Sequence, residues 1–409
     1  MAPKEMRVLI IGAGSAGLLM AHVFKKAGIE ATVFEQDASP TTRPRDWSFG
    51  VYWAQSPLVD CLPPDLAARL PTVQTDLLFK PHKDEVLPIH HGGTGELLRH
   101  VEAPYAVRYR RKAFLKLLSE GVDIQFGKTL AGISVTEIGV TATFTDGTEE
   151  SGTMLIGADG AHSAVRKFLF QSSPQDAELL DTPIVASETV AKFDDADVAL
   201  ALREVHPLAY ITINPNGVFT FASTQDCSAA DPTDWTFAII MTWRSDEDLS
   251  AAPKSHREIH EDMIQHSQDL TWPFKEAATA IRPGSVPFWQ GRMTYWPTKP
   301  WDGQRGRVTL AGDAAHAMTF HRGQGLGNAI TDAAVLQQCL QAMNSHTPEE
   351  LAKAVRAYEA EMWPRGYGAV MGNLENTLAL HDWDTVMKSP IVTGGVKREA
   401  DEAHVSVSG

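Results

Sequence analysis

Three glycines, Gly12, Gly14 and Gly17, stand at the spacing that lets a backbone wrap a pyrophosphate. Each has its own task there. Gly12 allows a tight turn, Gly14 lets the chain approach the phosphates, and Gly17 lets a helix pack closely on a strand. The helix that opens after Ser15, Ala16 and Gly17 directs its N-terminal amides at the negative charge, and Ser15 and Ala16 are candidate cofactor contacts. Glu35, followed by Gln36, can accept both hydroxyls of a ribose, and its charge repels a 2′-phosphate. The predicted ligand is an adenosine diphosphate moiety without that phosphate.

Two later segments also carry chemistry. The run Arg307-Val308-Thr309-Leu310-Ala311-Gly312-Asp313-Ala314-Ala315-His316 delivers Gly312 and Asp313 from a strand into a turn. Gly323-Gln324-Gly325-Leu326-Gly327-Asn328 then opens a helix whose first amides can face an electron-rich ring edge. In Leu155-Ile156-Gly157-Ala158-Asp159-Gly160, a short strand ends in Asp-Gly before a small-residue helix. Taken alone, Asp159 reads more readily as the cap of that helix than as a ligand acceptor.

The elements that must position these residues follow from the apolar pattern. A strand at 8–11, a helix at 18–27 and a strand at 30–34 form a first βαβ unit. A helical stretch is expected over 107–118, and strands at 122–126, 133–136, 140–145 and 153–157. From about Asp181 the texture alternates, with strands expected at 186–193, 210–213, 218–222 and 236–243 and a helix at 256–270. A buried strand at 307–310 and helices at 325–339 and 349–363 return to the first texture. The expected fold class is α/β, a Rossmann-like nucleotide domain interrupted by a mostly antiparallel sheet domain and followed by C-terminal helices. Its boundaries are 1–75, 101–177 and 280–345 for the nucleotide domain, and 76–100 with 178–279 for the sheet domain. Residues 346–390 form a helical region, and 391–409 a disordered tail.

Composition removes other classes. The 51 acidic side chains outnumber 36 basic ones, leaving a net charge of −15 that disfavours nucleic acid and anionic membrane surfaces. No run of about 18 apolar residues is present. Strand one follows the N-terminus so closely that no targeting segment is expected. Cys61, Cys227 and Cys339 are too few and scattered for disulfides or zinc, so no metal site and a cytoplasmic location are expected.

The three motifs, in this order, resemble the flavoprotein monooxygenases of the para-hydroxybenzoate hydroxylase family, over roughly residues 6–370. The resemblance implies FAD, with Gly12, Gly14, Gly17 and Glu35 on its ADP half and Asp159 near the pyrophosphate and the nicotinamide path. It implies Asp313 on the ribityl chain, the 325–328 amides on the isoalloxazine, and Arg111 on the FAD phosphates. Arg45 matches an arginine often found near the flavin. It further implies reduction by NADPH or NADH, addition of O2 to give a C4a-hydroperoxide, and hydroxylation or epoxidation of a small organic substrate. The single dinucleotide fingerprint implies that the nicotinamide binds transiently.

The chain departs from the family pattern at three places. Thr319 and Phe320 stand where two prolines are common, and Gly327 stands where Asn is usual, with Asn328 next to it. A flavin reductase or dehydrogenase without oxygen transfer therefore stays open, as does a non-catalytic flavin-binding protein.

His321 and Arg322, just before the glycine helix, are the candidate acid–base residues, and His316 reads as structural. Candidate pocket walls are Tyr210, Phe219, Phe221, Trp243 and Phe320, with Phe288 and Trp289 at the far end and Trp47, Tyr52 and Trp53 as a stacking cluster. Such a lining suits an aromatic or polycyclic substrate.

Overall fold

The computed structural model describes residues 6–40, 42, 46–247, 254–284 and 288–396. Its organising element is a five-stranded parallel sheet. The strand order is Val308–Leu310, Met154–Gly157, Arg7–Ile11, Glu30–Glu35 and Asp123–Phe126. Val8, Leu9 and Ile10 are all fully buried, because helices cover both faces of a parallel sheet. The helix Ser15–Lys26 begins directly after Gly14 and buries every side chain from Ala16 to Phe24. Lys25 and Lys26 sit at its carbonyl end, where positive charge is favourable.

A seven-stranded sheet forms the second layer. Its order is Trp289–Tyr295, Leu180–Ala191, Thr236–Arg244, Phe219–Asp226, Ala209–Ile213, Val86–His91 and Leu97–Glu102. Neighbours are antiparallel except where Ile211 pairs with Ile89 in parallel. Register aligns Ile213, Phe219 and Thr242 in one row, and Ile211, Phe221 and Ile240 two residues away on the same face. Tyr210, Ala222 and Ile239 form a row on the opposite face. That outer face packs Met241, Trp243, Met263, Leu270 and Phe274 into one apolar cluster. The helix His256–His266 supplies its cover and begins with a capping box in which Ser255 and Glu258 exchange hydrogen bonds.

The helix Pro348–Leu380 braces both sheets. The Tyr358 hydroxyl donates to the Leu310 carbonyl (2.9 Å), and Glu359 accepts from Thr309 Oγ1 (2.8 Å) and Trp301 Nε1 (2.9 Å). Further along, the same helix supplies Arg365, Asn373 and Thr377 to the region between the sheets.

Several expected boundaries move. Residues 107–110 are a strand, paired with Ser48–Val51, and the helix runs only over Arg111–Ser119. Trp289–Tyr295 is an edge of the second sheet rather than part of the nucleotide domain. The last long helix does not stop before Pro364. It continues to Leu380, because buried Gly366, Val370, Asn373 and Thr377 hold it against both sheets. The expected tail begins too early: Pro390–Gly394 is helical, and Ile391, Val392 and Val396 bury against the second sheet. Residues 397–409 lie outside the described residues.

Candidate functional site

The glycine turn is crowded behind and open in front. A Cβ at Gly12, where φ is +105°, would stand 2.4 Å from the Ala158 carbonyl oxygen, and one at Gly17 would stand 2.0 Å from the Gly12 oxygen. At Gly14 a Cβ would meet nothing within 4 Å. Backbone amides at an open helix N-terminus form a cradle for phosphate. Glu35 is fixed beside it, accepting from the Ala13 amide through Oε2 (2.8 Å) and from the Asp37 amide through Oε1 (2.9 Å). Ser15 is half-buried and Ala16 buried in the first helical turn, while Gln36 is exposed at the rim.

Asp159 caps the helix Ala164–Leu169. It accepts from Ser163 Oγ (2.5 Å), the Ala164 amide (2.7 Å) and the Val165 amide (3.2 Å). Burial pushes its carboxyl above the ordinary value, and these hydrogen bonds oppose that. The backbone around Ala158 and Asp159 forms the wall against which Gly12 turns.

The Gly312 turn meets the cradle directly. Gly312 has φ +61°, and a Cβ there would lie 2.7 Å from Ala16 Cβ. Its amide donates to Asp332 Oδ2 (2.8 Å), which also accepts from His316 Nε2 (2.8 Å). Arg365 Nη2 donates to Asp332 Oδ1 (2.8 Å). Burial alone pushes Asp332 upward, but His316 and Arg365 outweigh it and hold the carboxyl below its usual range. His316 is therefore structural, as expected, and ties the turn to the long helix.

Asp313 has no such partners. Among the described residues no group hydrogen-bonds its carboxylate, and Oδ1 lies 3.9 Å from where a Cβ on Gly325 would stand. The side chain is solvent-accessible, yet enough protein surrounds it that lost hydration pushes its carboxyl up. A polar acceptor at the bottom of a cleft has this character. The helix Gly325–Gln341 starts beside it, with first-turn amides that have no acceptor within the helix. Leu326 packs against the main apolar cluster.

The departures at the glycine helix have structural causes. A Cβ at Gly327 would fall 2.6 Å from Trp53 Cζ2, and one at Gly323 2.6 Å from Tyr52 Cε2. Gly327 thus gives room to the indole of Trp53. The Asn328 side chain does not face the cleft, which corrects its expected ligand role. Its amide nitrogen donates to the Gln324 carbonyl (3.0 Å), and its oxygen accepts from Arg365 Nη1 (3.1 Å).

Arg111 opens the helix Arg111–Ser119 and lies over the Trp47 ring at 4.5 Å. Arg45 lies outside the described residues. Arg108, which the pattern hid inside an expected helix, is a buried strand residue. It donates to Ser48 Oγ (2.9 Å), the Ser48 carbonyl (2.8 Å) and Tyr52 Oη (3.3 Å), and stands 5.0 Å from the Phe221 ring.

The pocket walls divide by sheet face. Phe219 and Phe221 lie on the inner face, toward Tyr52 and Trp53. Tyr210 and Trp243 do not, and their expected roles are corrected. Tyr210 packs on Phe274 (5.2 Å) and Trp243 stacks on His266 (3.8 Å), both on the outer face. Phe288 likewise stacks on His260 of the covering helix (4.7 Å). Alternation alone does not say which face of a strand meets the ligand.

Phe320 is half-exposed and stacks on His321 (4.6 Å). His321 is buried, with Nε2 3.0 Å from Thr242 Oγ1 and Nδ1 2.8 Å from Thr377 Oγ1. Both ring nitrogens are engaged by protein hydroxyls, which leaves neither directed at a ligand. Burial and the neighbouring His381 keep its ring well below the ordinary imidazole range, hence neutral. Arg322 is buried and reaches the Gly395 carbonyl (3.5 Å) in the C-terminal segment. Sequence reasoning missed Thr242, Asp332, Arg365, Thr377 and His381, which lie in ordinary helix or strand patterns without a local motif.

The open cradle, the unpartnered Asp313 and the amides facing it fit a dinucleotide with a polyol and a ring. Comparison with known proteins agrees. The model of the FAD binding domain family matches residues 5–48 and 114–372. The FAD-dependent monooxygenase cctM of Talaromyces islandicus is 44% identical over 96% of this chain and 98% of its own length. The FAD-dependent monooxygenase phnB of Penicillium herquei is 34% identical over 97% and 96%. The crystal structure of Klebsiella pneumoniae HpxO with FAD and uric acid superposes with a TM-score of 0.75, at 20% identity, over 98% of this chain and 95% of that one. The chain belongs to the FAD binding domain family and is an FAD-dependent monooxygenase of the para-hydroxybenzoate hydroxylase type.

Proposed function

We propose that this FAD-dependent monooxygenase uses NADPH or NADH and O2 to hydroxylate or epoxidise an aromatic or polycyclic substrate. The assignment of cofactor contacts is part of the same proposal. Gly12, Gly14, Ser15, Ala16 and Gly17 would hold the pyrophosphate, Glu35 the adenosine ribose, and Arg111 the phosphates from the side. Asp313 would accept from the polyol chain, and the amides of Gly325 and Leu326 would face the ring. The supporting observation is the convergence of the open Gly14 face and the unpartnered Asp313 carboxylate. Both leave the parallel sheet at the carboxyl ends of its strands, where open α/β sheets bind ligands.

Bound FAD supplies the redox and oxygen-activating chemistry. The chain's own residues shape what that chemistry meets. Asp332 fixes the Gly312 turn, so Asp313 is presented in one geometry. Phe219 and Phe221, clustered with Tyr52 and Trp53, would form an apolar roof that keeps water from the reacting centre, with the exposed Phe320 ring at its rim. The Arg108 guanidinium, beside Tyr52 and Phe221, puts positive charge under that roof and favours an electron-rich, hydroxylated ring.

The test is oxygen consumption by purified, FAD-loaded protein with NADPH or NADH, across a panel of phenolic and polycyclic compounds. At least one compound should accelerate both nicotinamide oxidation and oxygen uptake and emerge carrying one added oxygen atom. Nicotinamide oxidation without oxygen transfer to any compound, at full FAD occupancy, would favour the reductase reading.

A further inference from the structure

The two arms of the proposed flavin site reach it by separate routes. Asp313 leaves the parallel sheet after the strand Val308–Leu310, and the ring-facing amides open the helix Gly325–Gln341. Residues 317–324, neither helix nor strand, connect them. A single ligand that spans polyol and ring needs both arms at a fixed separation. A loop without regular structure does not supply that by itself, so another element has to.

Arg365, on the long helix Pro348–Leu380, holds the supports of both arms. Its Nη2 donates to Asp332 Oδ1 (2.8 Å), and Asp332 Oδ2 accepts from the Gly312 amide (2.8 Å). Its Nη1 donates to Asn328 Oδ1 (3.1 Å), at the end of the first turn of the glycine helix. Asn328 and Asp332 stand one turn apart, so one planar guanidinium spans both. The Arg365 Nε donates to Glu361 Oε1 (2.9 Å), one turn back on its own helix. The Arg365 side chain is 6% exposed, and that of Asp332 is fully buried. Burial alone would loosen the guanidinium proton, but Asp332 and Glu361 outweigh it and keep the charge in place. Asn373, two turns further along the same helix, adds a second hold by donating to Gln324 Oε1 (2.8 Å).

We propose that Arg365 is a positioning residue for the flavin, setting the distance between the Asp313 carboxylate and the first-turn amides of the glycine helix. This rests on the reading that those groups meet the polyol and the ring. No atom of Arg365 has to reach the ligand. It acts through Asp332 on one side and through Asn328 on the other. Helix-start amides favour negative charge, and a ring that takes up electrons gains it. The arrangement therefore favours the reduced cofactor over the oxidised one, and loosening the Arg365 fork weakens the hold on the reduced form more. Lysine at this position keeps the charge and one bond. It lacks the second nitrogen that fixes the angle between the two acceptors.

The test is the midpoint potential of the bound flavin, measured at full FAD occupancy on protein that circular dichroism shows to be folded. Arg365→Lys should lower it by about 30 mV, which for a two-electron couple is a tenfold weaker hold on the reduced form relative to the oxidised one. Asn328→Ala should shift it in the same direction. The double variant should go no lower than Arg365→Lys, because both changes act through one contact. A wild-type potential in Arg365→Lys, or additive shifts in the double variant, would overturn the proposal. Lowered thermal stability with an unchanged potential would also overturn it, by reducing Arg365 to a structural ion pair. A wild-type protein that takes up no FAD would refute the cofactor reading itself, and this proposal with it, before any variant is compared.

Discussion

The proposed cofactor cradle and the proposed pocket roof are built from different materials. In the cradle the chemistry belongs to the backbone. A Cβ at Gly12 or Gly17 would stand 2.4 or 2.0 Å from a backbone oxygen, so no side chain fits, and helix-start amides would supply the donors. In the roof the chemistry belongs to side chains brought together by register from strands far apart in the chain. Phe219 and Thr242 are neighbours only because two antiparallel strands align them. A backbone site tolerates no substitution at a few positions, whereas a side-chain site changes its ligand by changing residues.

The largest effect should come from breaking the cradle. Gly17→Val places atoms inside the Gly12 carbonyl, and the purified variant should be free of FAD and unstable, read by flavin absorbance and thermal unfolding. Retention of FAD at wild-type stability would mean that the turn is looser than described.

Gly327→Asn tests the seam between the two regions. Its side chain collides with Trp53 (2.6 Å), so FAD affinity should fall about tenfold or more, consistent with the cost of overpacking. Adding Trp53→Ala should recover part of that loss. Unchanged FAD affinity in Gly327→Asn would dissociate the glycine from its aromatic neighbour.

Within the roof, the two sheet faces should separate cleanly. Phe221→Ala should raise the substrate KM or relax specificity while leaving FAD content intact. Tyr210→Phe should leave turnover unchanged, because the buried Tyr210 hydroxyl has no hydrogen-bond partner among the described residues and its ring packs on Phe274 on the outer face. The reverse pattern would exchange the faces assigned here.

The remaining prediction concerns the pH dependence of stability. His381 is neutral in the fold, its pKa lowered from 6.5 to about 4 mainly by burial. The unfolded chain binds this proton first, so the stability it contributes is present above about pH 6.5 and lost as pH falls toward 4. The size is on the order of 3 kcal/mol. Thermal unfolding of the wild type should weaken across that window, and His381→Gln should lose less stability there, the remainder belonging to other buried histidines held low, His321 among them. A parallel decline in both would assign the acid sensitivity elsewhere.

This contrast also explains what could be read before folding. The strand, glycines and acidic residue of 8–35 are contiguous, so the first unit and its ligand class were legible. The strand, turn and helix that bring Asp313 beside Gly325 were legible for the same reason. Arg108 was hidden because four strand residues precede its helix without a break. Tyr210 and Trp243 were misassigned because alternation marks two faces without saying which one meets the ligand. His381 was invisible, since it follows a helix expected to close before Pro364. Its ring bonds Thr242, which the fold brings to within 2.8 Å.

The most direct test of the account is the FAD affinity of Asp313→Asn against the wild type, by fluorescence titration of deflavinated protein. Circular dichroism should first show that both remain folded. The account predicts FAD binding weakened at least about tenfold, as expected when a charged hydrogen-bond acceptor is lost. An unchanged affinity in a folded variant would contradict the placement of Asp313 on the cofactor and, with it, the geometry of the proposed site.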